Sequence, residues 1–436
     1  MINHRDFIFY HIYTLGLLQA PEKNDYSQEA HKLDELEKWI PHIKDLGCNA
    51  VLLGPVLKSK SHGYDVTDYF QIDNRIGSNT EFRELVDHFH SAGISVVLDC
   101  VFNHCGRDFF AFRELCENVN EHKSIVESKD WFSGLDFSKK SPMGDSFTYD
   151  CWNGCYDLVK FNLKHKATRD YLLKAARFLV ETFDIDGMRI DSANVIDFDF
   201  LRELRTLTTS IKPDFWLMGE VVAGDYAQWV NDEMLHSVTG YRLYKALYSS
   251  HNSNNFFELA YAVAHSVPDF GISHYNFLDN HDQTRIIDNV TNPDFLMTLY
   301  PLLFTLPGIP SIYYGSEWGI NGKKMRTTDK LLRPYIDLPR MPRKTNLTEL
   351  IKKLSSIRKS SRALRYGTYR QVYLQYHRPF VFERKYESER VLIAVNISDQ
   401  TEFVNIENSQ KHDLLTGEII NLSTCEIPPH SARILA

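Results

Sequence analysis

Residues Tyr171–Asp191 read YLLKAARFLVETFDIDGMRID. The first part, Tyr171–Phe183, returns apolar side chains at the spacing of one helix face. Ile185–Ile190 follows as a short run of the strand kind, and a carboxylate, Asp191, stands at its end. A helix feeding a strand is the repeating unit of a parallel α/β sheet.

The unit recurs on both sides. Ile8–Tyr13, Ala50–Leu53 and Ile94–Leu98 precede it; Phe215–Met218, Ser237–Tyr241, His274–Leu278 and Ile309–Tyr313 follow. Leu33–Leu46 reads as an amphipathic helix, and Glu81–Ala92 places apolar residues at 82, 85, 86 and 89, again one helix face. Eight strands alternating with helices predict an α/β fold, a (β/α)8 TIM barrel. About 65 residues separate the third strand from a helix starting near Thr168. That stretch is rich in Cys, Gly, Trp and Asp and predicts a small inserted domain. After a helix over Leu350–Ser361 come short alternating runs at Tyr369–Tyr376, Phe380–Arg384, Val391–Asn396, Glu402–Ile406 and Ser431–Leu435. They predict a C-terminal antiparallel β-sandwich. The expected division is barrel over 1–103 and 167–360, inserted domain over 104–166, and sandwich over 361–436.

The chain has 436 residues, 43% apolar and 24% charged, as in ordinary soluble globular proteins. Lys plus Arg number 49 against 57 Asp plus Glu, a formal charge of −8, which argues against a nucleic-acid partner. Aromatic residues reach 13%, which suits a sugar-binding cleft and a large core alike. Seven cysteines, an odd number at irregular spacing, point to reduced thiols and a cytoplasmic location. The first residues lack the pattern of a secretory signal. Cys151 and Cys155 stand alone where structural zinc would need four ligands, so no metal is expected there. Residues 295–316 carry no charge over a span-like length, but Pro301, Pro307, Gly308 and Pro310 break them into a buried helix, a turn and a buried strand. No membrane partner is expected.

In a TIM barrel, catalytic groups stand at the C-terminal ends of strands. The predicted ends read Asp99-Cys-Val-Phe-Asn103-His104, Gly187-Met-Arg189-Ile-Asp191, Gly219-Glu220 and Leu278-Asp279-Asn280-His281-Asp282. Arg189 and Asp191 point to one side, since strand side chains alternate, and an adjacent guanidinium lowers a carboxylate pKa. Such residues also cap helices or brace loops, as Asp99 and Asn103 suit, and an Asp/His cluster can bind a catalytic metal.

Taken in order, Asp99–His104, Gly187–Asn194, Gly219–Val222 and Phe277–Asp282 resemble the diagnostic segments of the α-amylase family, glycoside hydrolase family 13. Gly47–Pro55, the run His62-Gly-Tyr64-Asp65 with Asp68-Tyr69, and Gly308–Gly315 match three supporting segments, so the resemblance covers nearly the whole chain. It implies a retaining enzyme acting on α-glucosidic bonds of maltodextrins, cyclodextrins or starch fragments. Asp191 is then the nucleophile, Glu220 the acid/base and Asp282 the third, substrate-binding carboxylate. Retaining pairs stand about 5–5.5 Å apart. His104 and His281 would donate to sugar hydroxyls, Tyr64 would stack on the sugar, and Arg189 would orient Asp191; Asp65 and Arg285 are further expected substrate contacts. Asp99 would brace Arg189.

One motif departs from the common pattern. Asp191 is followed by Ser192-Ala193-Asn194-Val195, with Asn194 and Val195 where α-amylases continue Lys-His. The chemistry implied requires no cofactor, and structural calcium is left open, because that His serves calcium through its backbone oxygen. The Asn-containing version and Leu158–Asn162 resemble the neopullulanase/cyclomaltodextrinase branch. Glu317-Trp318 is either a substrate contact or packing. The other readings are a 4-α-glucanotransferase on the same site and a catalytically silent sugar-binding protein. The oligomeric state is open.

Overall fold

The computed structural model describes residues 3–27, 29–125, 129–266 and 273–436. Every one of the eight predicted runs overlaps a strand: β1 Phe9–Ile12, β2 Ala50–Leu53, β3 Ser95–Cys100, β4 Gly187–Ile190, β5 Trp216–Gly219, β6 Ser237–Val238, β7 Tyr275–Phe277 and β8 Ile309–Tyr313. They form one sheet in the order β6-β5-β4-β3-β2-β1-β8-β7, with parallel neighbours throughout. A parallel bridge between Thr239 and Tyr275 joins the two ends and closes the barrel. The Gly240 N–H donates to the Tyr275 carbonyl at 2.8 Å beside that bridge.

Strands buried on both faces are mostly apolar, and Ala50–Leu53 and Phe215–Met218 read as unbroken hydrophobic segments for that reason. Phe9, Leu52, Val97, Trp216, Met218, Phe277 and Ile309 pack together inside the barrel. Trp216 stacks on Phe9 with ring centroids 5.2 Å apart. Gly187 makes room for this layer: a Cβ there would lie 2.6 Å from the Trp216 carbonyl oxygen.

The helices follow their patterns with one break. Asn79–Ser91 is closed by a capping box between Ser78 and Glu81, and Lys166–Phe183 starts two residues before the predicted start near Thr168. The single helix expected over Leu33–Leu46 is instead two, Asp34–Glu37 and Ile40–Asp45. Pro41 sits in the first turn of the second. Its ring would clash with the carbonyl four residues back, so one continuous helix cannot pass through it.

Between β3 and the helix Lys166–Phe183 the chain forms a three-stranded sheet from His104–Gly106, Cys151–Trp152 and Cys155–Lys160, plus the helix Phe110–Asn120. The hairpin Leu57–Ser59/Val66–Ile72 after β2 was not predicted. Residues 295–316 are the helix Leu296–Thr305, a turn, and β8, all lining the core. No helix among the described residues is long and apolar enough to cross a membrane.

At the C-terminus, Thr368–Tyr373, Phe380–Tyr386, Glu389–Asn396 and Ser431–Leu435 form a four-stranded antiparallel sheet. The pair Glu402–Val404/Cys425–Ile427 packs on it through Val404, Cys425 and Ile427 against Val381, Leu392, Ala394 and Leu435. Three short strands, Gln410–His412, Ile419–Asn421 and Cys425–Ile427, were not predicted. Three residues each are too few to show a two-residue period.

Candidate active site

The inner face of the barrel turns from apolar to charged toward the C-terminal strand ends. Val97 and Gly187 lie in the packed layer, and the next inward positions, Asp99 and Arg189, are register partners across β3 and β4. Arg189 Nη1 donates to Asp99 Oδ1 at 2.7 Å and to Asp191 Oδ1 at 3.0 Å. Its Nη2 lies 2.9 Å from Glu220 Oε2. One guanidinium thus spans Asp191 and Glu220 and sets them side by side.

Two backbone features hold this pair. Ser192 takes a left-handed φ of 49°, uncommon outside glycine. There its N–H donates to Glu220 Oε2 at 3.1 Å and its hydroxyl to Asp191 Oδ2 at 3.0 Å. Before Glu220, a Cβ on Gly219 would meet Leu235 Cδ1 at 2.4 Å and Ala193 Cβ at 2.8 Å, so only glycine fits. Tyr241 OH donates to Glu220 Oε1 at 3.1 Å and accepts from Asn280 Nδ2 at 3.3 Å.

The electrostatics correct one expectation. Burial pushes Asp191 well above the usual carboxylate range; Arg189 opposes this, but Glu220 and Asp99 add to it. One guanidinium set among three carboxyls leaves the group net negative if all ionise, so the cluster holds a proton more readily than an isolated aspartate does. Arg189 alone does not keep Asp191 ionised.

Asp282, after β7, is held the other way. Burial would raise it, but His281, Arg333 and Arg189 outweigh that and keep the carboxyl well below the usual range. His281 Nε2 lies 2.9 Å from Oδ2, and Arg333 Nη2 donates to Oδ1 at 2.8 Å. Arg333 Nη2 also reaches Asp329 at 3.1 Å, while its guanidinium lies over the Tyr13 ring. Tyr64 OH donates to Asp99 Oδ2 at 2.9 Å and shares a hydrogen bond with His281 Nε2. The Tyr64 and His281 rings stack with centroids 5.6 Å apart. Burial, with His62, pushes His104 down to about 3, so its ring is neutral at pH 7. Asn103 Nδ2 lies 3.2 Å from His104 Nδ1, leaving Nε2 as the atom without a partner among the described residues.

Tyr64, His104, Asp191, Glu220 and Asp282 all line one cavity of about 1050 Å³. Arg189 and His281 stand directly behind it, bonded to its carboxylates. Two expected contacts, Arg285 and Asp65, are placed elsewhere, and so is Glu317, for which packing was the other reading. Arg285 is fully buried, donating to the carbonyls of Tyr314 and Leu332 at 2.7 and 3.0 Å over the Tyr313 ring, so it braces the loop after β8. Asp65 is buried and accepts from Ser61 Oγ at 2.6 Å, tying its turn together. Glu317 is buried too, bonded by Tyr10 OH at 2.6 Å and lying 2.8 Å from His42 Nε2; Trp318 stacks on His42. That settles Glu317-Trp318 as packing.

Sequence reasoning missed Arg333, Asp329, Lys324, Tyr241 and Trp152, which line the same cavity. Tyr241, at the predicted end of β6, was readable from position alone. Arg333 was not, because the charged segment around it has no periodicity.

Among the described residues, no group of three or more His, Cys, Asp or Glu side chains could hold a metal ion. Calcium takes six to eight oxygen ligands, and several polar groups around Asn103 are already bonded within the protein. The Asn103 side-chain Nδ2 turns to His104 Nδ1, and the Asn103 backbone carbonyl accepts the Phe161 N–H. Asn162 Nδ2 donates to the Asp130 carbonyl and its Oδ1 accepts the Lys164 N–H. All seven cysteines are free.

The family described as α-amylase, catalytic domain, matches residues 27–336. A cyclomaltodextrinase of Thermoanaerobacter pseudethanolicus is 31% identical over 412 residues, covering 91% of this chain and 69% of that protein. Neopullulanase 2 of Thermoactinomyces vulgaris is 30% identical over 88% of this chain and 66% of its own length. The chain therefore spans about two thirds of the length of these relatives. The solved structure of an Anoxybacillus α-amylase, 24% identical, superposes with a TM-score of 0.83 over 100% of this chain and 98% of that one.

Proposed function

The chain belongs to the α-amylase family of glycoside hydrolases, on its neopullulanase/cyclomaltodextrinase side, and from that premise we propose that it is a retaining hydrolase cleaving α-1,4-glucosidic bonds in maltodextrins, cyclodextrins and starch fragments. The observation that carries this reading is the Arg189 fork, which binds Asp191 and Glu220 together at the floor of a cavity that Asp282 also enters.

Asp191 attacks the anomeric carbon while Glu220 hands a proton to the departing oxygen, giving a glycosyl ester on Asp191. Glu220 then takes a proton from water, whose oxygen attacks the same carbon and releases Asp191. Asp282, fixed and ionised between Arg333 and His281, accepts hydrogen bonds from sugar hydroxyls and favours the positive charge of the transition state. Tyr64 offers a ring to the apolar sugar face, and His104 Nε2 donates to a hydroxyl. A silent sugar-binding protein needs no such convergence of three carboxylates. The free thiols, including exposed Cys155, suit the reducing cytoplasm where we place the enzyme.

The test is a substrate panel of maltotriose, starch, β-cyclodextrin, pullulan and isomaltose with chromatographic product identification. Release of shorter α-glucans supports hydrolysis. Products longer than the substrate move the assignment to 4-α-glucanotransferase, and no release or transfer on any substrate overturns both.

The reading also fixes a pH dependence. Asp191 must lose its proton to attack, and burial holds that proton on. Activity therefore falls with falling pH, and the acid limb of kcat/KM lies above the ordinary aspartate value of about 3.9. A limb at or below that value contradicts the cluster's electrostatics. Arg333→Met should lower kcat/KM on maltotriose about 100-fold, the scale of a misplaced reacting group, because Asp282 loses the 2.8 Å bond that aims it. A loss under threefold would show that His281 aims Asp282 alone.

A further inference from the structure

The cavity continues well past Glu220, along the helices Tyr241–Asn252 and Phe257–Ser266. Tyr241, Tyr244 and Tyr248 stand at i, i+3 and i+7, one face of the first helix, and all three line the cavity. A rise of about 1.5 Å per residue carries that face about 10 Å from Tyr241 to Tyr248. Tyr241 marks the near end through its 3.1 Å bond to Glu220. Tyr261 of the second helix lines the same cavity, and is 63% exposed.

Core packing accounts for only part of this row. Tyr244 is buried and stacks on Phe277 at 5.3 Å. Tyr248 is half-buried and Tyr261 stands in solvent against His265 of its own helix. The two helices are pinned beside them: Glu258 lies 2.6 Å from Lys245 Nζ and accepts from Ser249 Oγ at 2.6 Å. Two rings are thus presented on a fixed wall of a sugar-sized cleft, on the side where Glu220 releases the leaving group.

We propose that Tyr248 and Tyr261 form a distal stacking platform for the leaving-group half of a long α-glucan chain, so that the enzyme favours long chains over short oligosaccharides. The proposal rests on the hydrolase reading above. Pyranose rings carry an apolar C–H face that lies flat on an aromatic ring, while Lys245 and Glu258 beside the rings can meet hydroxyls.

The experiment compares kcat/KM for maltoheptaose and maltotriose in the wild type and in Tyr248→Ala, Tyr261→Ala and the double variant. The heptaose-to-triose ratio should fall about tenfold in the double variant, through KM, with an unaltered melting temperature. Tyr261→Phe, which keeps the ring, should restore the ratio. Calorimetric titration of maltoheptaose into Glu220→Gln should weaken by a similar factor when Tyr248→Ala and Tyr261→Ala are added. An unchanged ratio in an active double variant overturns the platform and leaves hydrolysis standing. A wild type that neither cleaves nor binds either oligosaccharide overturns the hydrolase reading and the platform with it.

Discussion

Asp191→Asn should abolish turnover and leave the fold intact. The amide is the same size as the carboxylate it replaces; its oxygen can still accept from Arg189 Nη1 and its NH2 can donate to Ser192 Oγ, each 3.0 Å away. It is neutral, and its oxygen is a far weaker nucleophile toward the anomeric carbon than a carboxylate oxygen is. Removing a nucleophile from a cooperating set costs about 10⁴-fold or more in kcat. Stability should hold or rise slightly. The substitution removes one of three carboxyls crowded on Arg189, and burial with Asp99 and Glu220 already disfavours charge on Asp191. Steady-state kinetics on maltotriose and a melting curve read both effects. A rate within tenfold of wild type would refute the nucleophile, and a fall in melting temperature of more than a few degrees would show that Asp191 holds the barrel together.

The barrel was legible because its strands are buried on both faces. Ala50–Leu53 and Ile309–Tyr313 match the predicted runs to the residue, while β6 and β7 are shorter than predicted; past Val238 the chain makes a single bridge at Thr239 and enters the helix from Tyr241. The pair Asp191 and Glu220 was legible for a related reason: strand ends in a closed parallel barrel share one mouth. What escaped depends on distances that sequence does not encode. Asp191 and Arg189 are two residues apart, which suggests an ion pair that depresses the carboxyl. The opposing contributions come from burial, from Glu220 and from Asp99, 92 positions earlier in the chain. Arg285 follows Asp282 closely and was expected in the cleft. The Ile286 N–H instead donates to Asp279 at 2.8 Å and turns the chain, so Arg285 faces the loop after β8. Arg333, 51 residues after Asp282, supplies the guanidinium that faces that carboxyl.

Glu220→Gln separates the two halves of the reaction, because its deficiency depends on the leaving group. On maltotriose the departing alkoxide needs a proton that the amide cannot give, and kcat should drop about 10³- to 10⁴-fold, the upper range for one general acid. α-Maltosyl fluoride leaves as fluoride without that proton. With Asp191 still held at 3.0 Å from Arg189 and 3.0 Å from Ser192 Oγ, the first step should run on the fluoride at a rate near that of wild type. The second step then lacks its base, so fluoride release should show a burst of one equivalent per enzyme and stall. Intact-mass spectrometry should find the protein heavier by one maltosyl group, and peptide mapping should place it on Asp191. An inverting enzyme would put a water between the carboxylates and form no ester, so steady turnover of the fluoride with no adduct would end the covalent assignment. A burst with the adduct elsewhere would keep a covalent route and move the nucleophile.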